Sequence, residues 1–361
     1  MLPSEWQNVR RILAIRLDNI GDVVMLGPAL RTLHHHLPNA SITLMASPAG
    51  SQVATLLPWV DDVIVHRVVW QDASWKMPLD PMREEILIAT LRAGKFDAAV
   101  IFTSFSQSPY PPAYVCYLAG ISIRIGQSKE FGGSVLSQWV KPLPDHTHQV
   151  DRNLFLLESV GFSTLGNYLE LSLPKEVQNK SDRLLQNIDI SPKDSFIVLA
   201  PGASCAARRY DLERYAAVAR MLINETRLPI VVVGSDRETE LVQPILNCGQ
   251  EKIISLVGKT SVSELASVIK RASLVIANNS GPMHFADAFQ RPMVILYSGT
   301  ELESQWQPRT APTKLLRRPT DCSPCYGFCC PYQMECLDIP PSEVVTEALN
   351  LLNKQLALIT H

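Results

Sequence analysis

Short β-branched and apolar runs alternate with helical patterns along almost the whole chain, and the series occurs twice. In the first series residues 12–16, 41–46, 62–65 and 98–102 read as strands, set among helices through 37, near 52–57, over 81–93, around 113–119 and over 149–161. A parallel sheet covered on both faces accounts for such a series, because parallel strands need crossover connections that bring helices onto the faces. The second series has strands at 196–200, 230–233, 253–255, 274–277 and 293–297, with helices at 212–223, 238–246, 261–272 and 281–289. Between them the stretch 175–194 is polar and charged and reads as a linker around one short amphipathic helix. The expected organisation is an α/β domain at 1–174, that linker, a second α/β domain at 195–340 and a C-terminal helix in 341–361. The last helix places Val344, Val345, Ala348, Leu351 and Leu352 on one stripe, suited to packing back across the domain boundary.

Composition narrows the functional class. With 361 residues, 46% hydrophobic and 19% charged, the chain has apolar side chains for two large cores and too few charges for disorder. A formal net charge of -2 speaks against a nucleic-acid binder, so any polyanion site must be local. The segment 1–20 sets Arg10, Arg11 and Arg16 around a short apolar run and does not read as a signal peptide. The uncharged run 98–123 is interrupted by Pro109, Pro111 and Pro112 and reads as strand, loop and helix rather than a membrane span. Five of eight cysteines crowd between Cys322 and Cys336, a pattern suited to a cytosolic chain with one local thiol cluster.

Three strand-to-helix turns carry chemistry. After the first strand, Asp18 and Asp22 lie at the carboxyl edge of the sheet, where doubly wound folds bind ligands. The same Asp22 reads equally well as a helix cap. This turn lacks the G-x-G-x-x-G of dinucleotide-binding dehydrogenases. In the second series, Pro201-Gly202-Ala203-Ser204 followed by Arg208-Arg209-Tyr210 offers backbone N–H groups and two guanidinium forks to a phosphate, against the alternative of solvated arginines on an ordinary turn. Further on, Asn279-Ser280-Gly281-Pro282-Met283-His284 opens a helix whose first N–H groups suit a diphosphate, with His284 one turn in.

In order and spacing these stretches resemble glycosyltransferase family 9, the heptosyltransferases, over nearly the whole chain. The resemblance rests on Ile15-Arg16-Leu17-Asp18-Asn19-Ile20-Gly21-Asp22-Val23-Val24, on the two turns of the second series, on Val231-Val232-Val233-Gly234 with Glu238 after it, and on Ser280-Gly281-Pro282-Met283-His284. Smaller echoes are His148-Gln149-Val150-Asp151-Arg152-Asn153-Leu154 and Trp306-Gln307-Pro308. It implies a GT-B fold, two facing Rossmann-like domains with parallel sheets. It also implies Asp22 as catalytic base, Arg208 with Arg209 and Ser204 at the donor phosphate, Glu238 at the nucleoside ribose, and Asn279, Ser280, Gly281 and His284 at the diphosphate and sugar. Arg208 stands where the family more often has Lys, which changes reach and fork geometry. Asn279 stands where many members have Asp, which removes a negative charge close to the donor sugar.

The implied activity is inverting transfer of a heptose or related sugar from a nucleoside-diphosphate donor resembling ADP-heptose to a hydroxyl of a lipopolysaccharide or other surface-glycan precursor. Splitting donor and acceptor between domains would let closure exclude water. Acceptor-side candidates are Asp18, Ser104 and Tyr110, the last two in the loop 104–112. A lipid-linked acceptor implies a cytoplasmic enzyme in transient contact with the inner membrane face. No cofactor is required for this chemistry. Cys322, Cys325, Cys329, Cys330 and Cys336 read as a structural zinc or iron–sulfur site, as reduced thiols or as disulfides. Consecutive His34, His35 and His36 point about 100° apart on a helix and cannot share one metal. Trp70 and Trp75 suit packing or a sugar ring. Two other functions stand beside transfer: a GT-B-like sugar-nucleotide epimerase, and a nonenzymatic nucleotide-sugar sensor with a cysteine switch.

Overall fold

The computed structural model describes residues 3–72, 75–249 and 251–359, with side chains described through residue 354. It divides into two compact units, Met1–Glu170 and Leu171–His361. In the first, β1 (Arg11–Arg16), β2 (Ser41–Ala46), β3 (Asp62–Val65), β4 (Ala98–Ile101), β5 (Ile123–Gln127) and β6 (Gln138–Val140) form one sheet in the order β3-β2-β1-β4-β5-β6. Every pairing is parallel, with Ile15 opposite Met45 on one side and Ile101 on the other. The helices are α1 (Ile20–Val24), α2 (Gly27–His36), α3 (Pro81–Gly94), α4 (Tyr110–Leu118) and α5 (Gln149–Glu158). Leu13, Ile15, Ala99 and Ile101 of the central strands bury against Leu87 and Leu91 of α3 and Val115 of α4.

The second unit repeats the plan. It contains α6 (Lys175–Gln186), β7 (Ile197–Ala200), α7 (Leu212–Thr226), β8 (Ile230–Val232), α8 (Gln243–Leu246), β9 (Ile253–Ser255), α9 (Val262–Arg271), β10 (Leu274–Asn278), α10 (Gly281–Ala288), β11 (Met293–Leu296), α11 (Glu303–Trp306), β12 (Thr313–Leu316) and α12 (Pro341–Ile359). The parallel sheet runs β12-β11-β10-β7-β8-β9, which is the strand order of the first unit. In both units the order reverses between the first and fourth strands, β1 with β4 and β7 with β10. The loops leaving those strands diverge there and open the crevice in which such sheets bind ligands.

Two further elements pack within the second unit. The polar stretch expected as a linker contains the 12-residue α6, which packs on α9 through a buried Ser181–Ser267 hydroxyl contact of 2.5 Å and an Arg271–Asp182 ion pair of 3.1 Å. The apolar stripe of α12, expected to reach across the domain boundary, packs on α7 and on β10, β11 and β12 of its own unit. Among the described residues no helix is long and apolar enough to cross a membrane.

Candidate active site

At the first switch point a buried arginine organises the turn. Arg16 is the last residue of β1 and its side chain is 0% exposed. Its Nε stands 2.7 Å from Asp18 Oδ2, and its Nη2 donates to Asp22 Oδ1 at 2.9 Å. Asp22 also closes a capping box at the start of α1, its Oδ2 accepting the Asn19 N–H at 3.2 Å. Cap and base are therefore not exclusive: a carboxylate has about four lone-pair sites, and these two bonds leave it acceptor capacity. Asp18 receives a second donor, the Gln107 amide, from the loop after β4. Burial raises the Asp18 carboxyl above its usual range, the Arg16 guanidinium opposes this, and the Asp22 charge adds to it.

That loop is also tied down. The Ser104 N–H donates to Gln107 Oε1 at 2.9 Å, so Ser104 sits next to the carboxylates. Tyr110, at the start of α4, turns away: its hydroxyl donates to the Glu130 carbonyl at 2.6 Å, and its ring covers Gly132, where a Cβ would stand 1.8 Å from it. From α5, Gln149 donates to the Thr103 carbonyl at 3.1 Å and Asn153 to the Met25 carbonyl at 3.1 Å. The echo around residue 150 thus holds the two site loops in register.

At the second switch point Asn278, the last residue of β10, is fully buried. It donates to the Pro201 carbonyl at 2.7 Å and accepts from the Tyr210 N–H and the Tyr215 hydroxyl, both at 3.1 Å. That staple brings the Gly202 turn and the Arg208 segment beside the start of α10. Arg208 there donates through Nε to Thr300 Oγ1 at 3.2 Å and through Nη1 to Ser204 Oγ at 3.5 Å, while Nη2 meets Glu301 Oε1 at 2.5 Å. Asn279 accepts the Ser298 N–H at 3.2 Å and directs its amide to Glu301 Oε2 at 3.5 Å. Ser280 is the N-cap of α10 and Pro282 lies in the first turn. Glu238 accepts from the Ser235 N–H at 2.6 Å and hydroxyl at 2.9 Å, which swings its carboxylate over Gly202. Arg209 donates to the Ala203 carbonyl at 3.1 Å. His284 is 6% exposed, and burial lowers its pKa to about 4, so it is neutral near pH 7.

The cysteine loop reaches this turn through its backbone. Cys325 N–H donates to the Gly299 carbonyl at 3.1 Å, Tyr326 N–H to Thr300 at 2.9 Å, and Ala207 N–H to Phe328 at 3.1 Å. Cys322, Cys325, Cys329, Cys330 and Cys336 are all free thiols, and the disulfide reading finds no bond. Burial raises the Cys336 thiol, and neighbouring Cys330, Cys322 and Cys325 raise it further. Among the described residues no three His, Cys, Asp or Glu side chains converge as metal ligands.

The motifs, their order and the two switch-point sites now stand together, and the model of glycosyltransferase family 9 (heptosyltransferase) matches residues 86–334. The chain belongs to glycosyltransferase family 9. A curated relative, lipooligosaccharide heptosyltransferase 2 of Campylobacter jejuni, is 26% identical over 92% of this chain and 95% of its own. A glycosyltransferase family 9 structure from Veillonella parvula superposes with a TM-score of 0.79 at 22% identity, covering 96% and 98% of the two chains. The Escherichia coli ADP-heptose LPS heptosyltransferase II structure gives 0.75 at 23%, covering 96% and 99%. The fold is thus GT-B, and this family 9 member is a glycosyltransferase. Among the residues that contact the site residues and escaped the sequence reading are Gln107, Thr300 and Glu301. The only signal for the last two is a polar Ser298-Gly299-Thr300-Glu301 run directly after a buried strand, at the edge where ligands bind.

Proposed function

We propose that this family 9 glycosyltransferase moves a heptose or a closely related sugar from an ADP-sugar to a hydroxyl of a lipopolysaccharide-type acceptor, with inversion at the anomeric carbon. The observation that carries this reading is the Arg208, Ser204 and Asn279 constellation at the start of α10, in a chain whose relatives are named heptosyltransferases. In this reading the second unit holds the donor. Arg208 and the first-turn N–H groups of α10 carry the diphosphate, where an anion gains from both the helix dipole and a guanidinium fork. Glu238 meets the ribose, and Asn279, with His284 as a neutral hydrogen-bonding group, faces the sugar.

Asp22 takes the proton of the acceptor hydroxyl as its oxygen bonds to the anomeric carbon. The bond from that carbon to the diphosphate breaks, and the diphosphate leaves with the electron pair. Arg16 keeps the Asp22 carboxylate oriented. Ser104 and Asp18 lie on the acceptor side. A glycolipid acceptor places the enzyme in the cytoplasm, in passing contact with the inner membrane face.

The test supplies ADP-heptose and a deacylated lipopolysaccharide core to the purified protein and follows ADP. Release that depends on the acceptor supports transfer. Conversion of the nucleotide sugar without acceptor would make the protein an epimerase, and tight binding without turnover would make it a sensor.

A further inference from the structure

Arg208 is not waiting with an open guanidinium. Its three nitrogens face Thr300, Ser204 and Glu301, and the side chains of Arg208 and Glu301 are only 22% and 16% exposed. The other carboxylate oxygen of Glu301 lies 3.5 Å from the amide of Asn279, which follows β10 directly and precedes the cap of α10. One carboxylate thus spans Arg208 and Asn279, the same two groups that the donor reading assigns to the diphosphate and the sugar. A half-buried cation needs compensation when no ligand is present, and the Glu301 charge supplies it. A diphosphate arriving at Arg208 brings further negative charge against that carboxylate, and like charges at contact range repel strongly outside bulk water.

We infer that Glu301 is the resident counter-ion of Arg208, a carboxylate that the donor diphosphate displaces and that reclaims the guanidinium when the nucleoside diphosphate departs. This rests on the donor-site reading above and adds a positioning residue to it. Part of the binding free energy of any diphosphate is spent in breaking the Arg208–Glu301 pair. The consequence is a site that holds its product less tightly than a bare arginine would. Asn279 fits the same logic, since an amide at that position can donate to the carboxylate, whereas an aspartate would repel it.

The experiment is calorimetric titration with ADP of the wild type, Glu301→Gln, Glu301→Asp, Arg208→Ala and the Arg208→Ala/Glu301→Gln double variant, with thermal unfolding checked on each. Glu301→Gln keeps the shape and removes the charge. It should bind ADP roughly tenfold more tightly and show correspondingly stronger product inhibition by ADP. Glu301→Asp restores the charge and should return affinity toward the wild type. In the Arg208→Ala background the Gln substitution should gain less, because only the direct repulsion of the diphosphate by Glu301 is then relieved. Unchanged or weaker ADP binding by Glu301→Gln, with Arg208→Ala clearly impaired, overturns the counter-ion role and leaves the donor site standing. If Arg208→Ala binds ADP like the wild type, the donor-site reading fails and this inference fails with it.

Discussion

The carboxylate of Glu238 occupies the space that a side chain at Gly202 would need: a Cβ on Gly202 would stand 1.7 Å from Glu238 Oε1. Glu238 cannot retreat freely, because Ser235 grips its other oxygen through both N–H and hydroxyl. A side chain at the first turn of the second unit would therefore have to displace the acidic residue of the next strand-to-helix turn, after β8. Gly202→Ala should displace Glu238 and weaken ADP binding by about as much as losing a charged hydrogen bond, about 1.5 to 3 kcal/mol. Calorimetry on Gly202→Ala and Glu238→Ala should give similar losses. Normal ADP affinity in both would remove Glu238 from the nucleoside site.

Asp22 carries two roles that one substitution separates. Asp22→Asn keeps an acceptor oxygen for one of the two donors, Arg16 Nη2 or the Asn19 N–H, turns its NH2 toward the other, and can no longer take a proton. Turnover should fall roughly 10² to 10⁴-fold, the range for a lost general base, while ADP affinity stays near the wild type and the melting temperature drops only by the loss of one of the two contacts. A variant with ordinary turnover and a lowered melting temperature would leave Asp22 as a helix cap alone.

The sequence carried the alternation of strands and helices and the two parallel sheets because the central strands are largely apolar and each is followed by a turn with charged or small polar residues. It failed where buried polar groups break that signal. The strands β5 and β6 were unread: Arg124 and Gln127 sit within β5, where Arg124 donates to the carbonyls of Ile121, Ser122, Ser134 and Val135 and Gln127 donates to that of Arg152. Pro244 in the first turn of α8 splits what reads as one helix over 238–246 into a 3-10 turn, Asp236–Glu238, and the short α8. In the site, single residues on turns were legible, but pairs were not. Nothing in the spacing of Arg208 and Glu301, or of Asp18 and Gln107, announces that separate crossovers deliver them to one point.

Buried, neutral His284 makes stability depend on pH in a stated direction. Its folded pKa of about 4 lies below the unfolded value near 6.5, so the unfolded state takes up the proton first as pH falls. Stability from this group is complete above pH 6.5 and drains between pH 6.5 and 4, by about 3 kcal/mol in all. His284→Gln should flatten the curve over that window while remaining folded at pH 7. Urea melts of both proteins at pH 7, 5.5 and 4.5 decide it, and parallel curves would assign the acid sensitivity elsewhere.

Arg16 pairs with two carboxylates, Asp18 and Asp22, and Arg16→Met tests what that sharing is worth. Its side chain is fully buried, while those of Asp18 and Asp22 are 14% and 17% exposed, so water reaches the carboxylates in part. Removing one partner of a buried pair costs about 3 to 5 kcal/mol, and partial exposure puts this case at the lower end. The loss should itself depend on pH. Burial already raises the folded pKa of Asp18, and without Arg16 the opposing influence is gone, so the shift grows. A carboxyl with a raised folded pKa stabilises the fold below its unfolded pKa and loses that contribution as pH rises through the folded value. Arg16→Met should therefore be destabilised most at pH 7 and recover toward the wild type near pH 4, with turnover poor at both because Asp22 has lost its orienting donor. Urea midpoints that fall equally at the two pH values would show that Arg16 serves packing rather than charge.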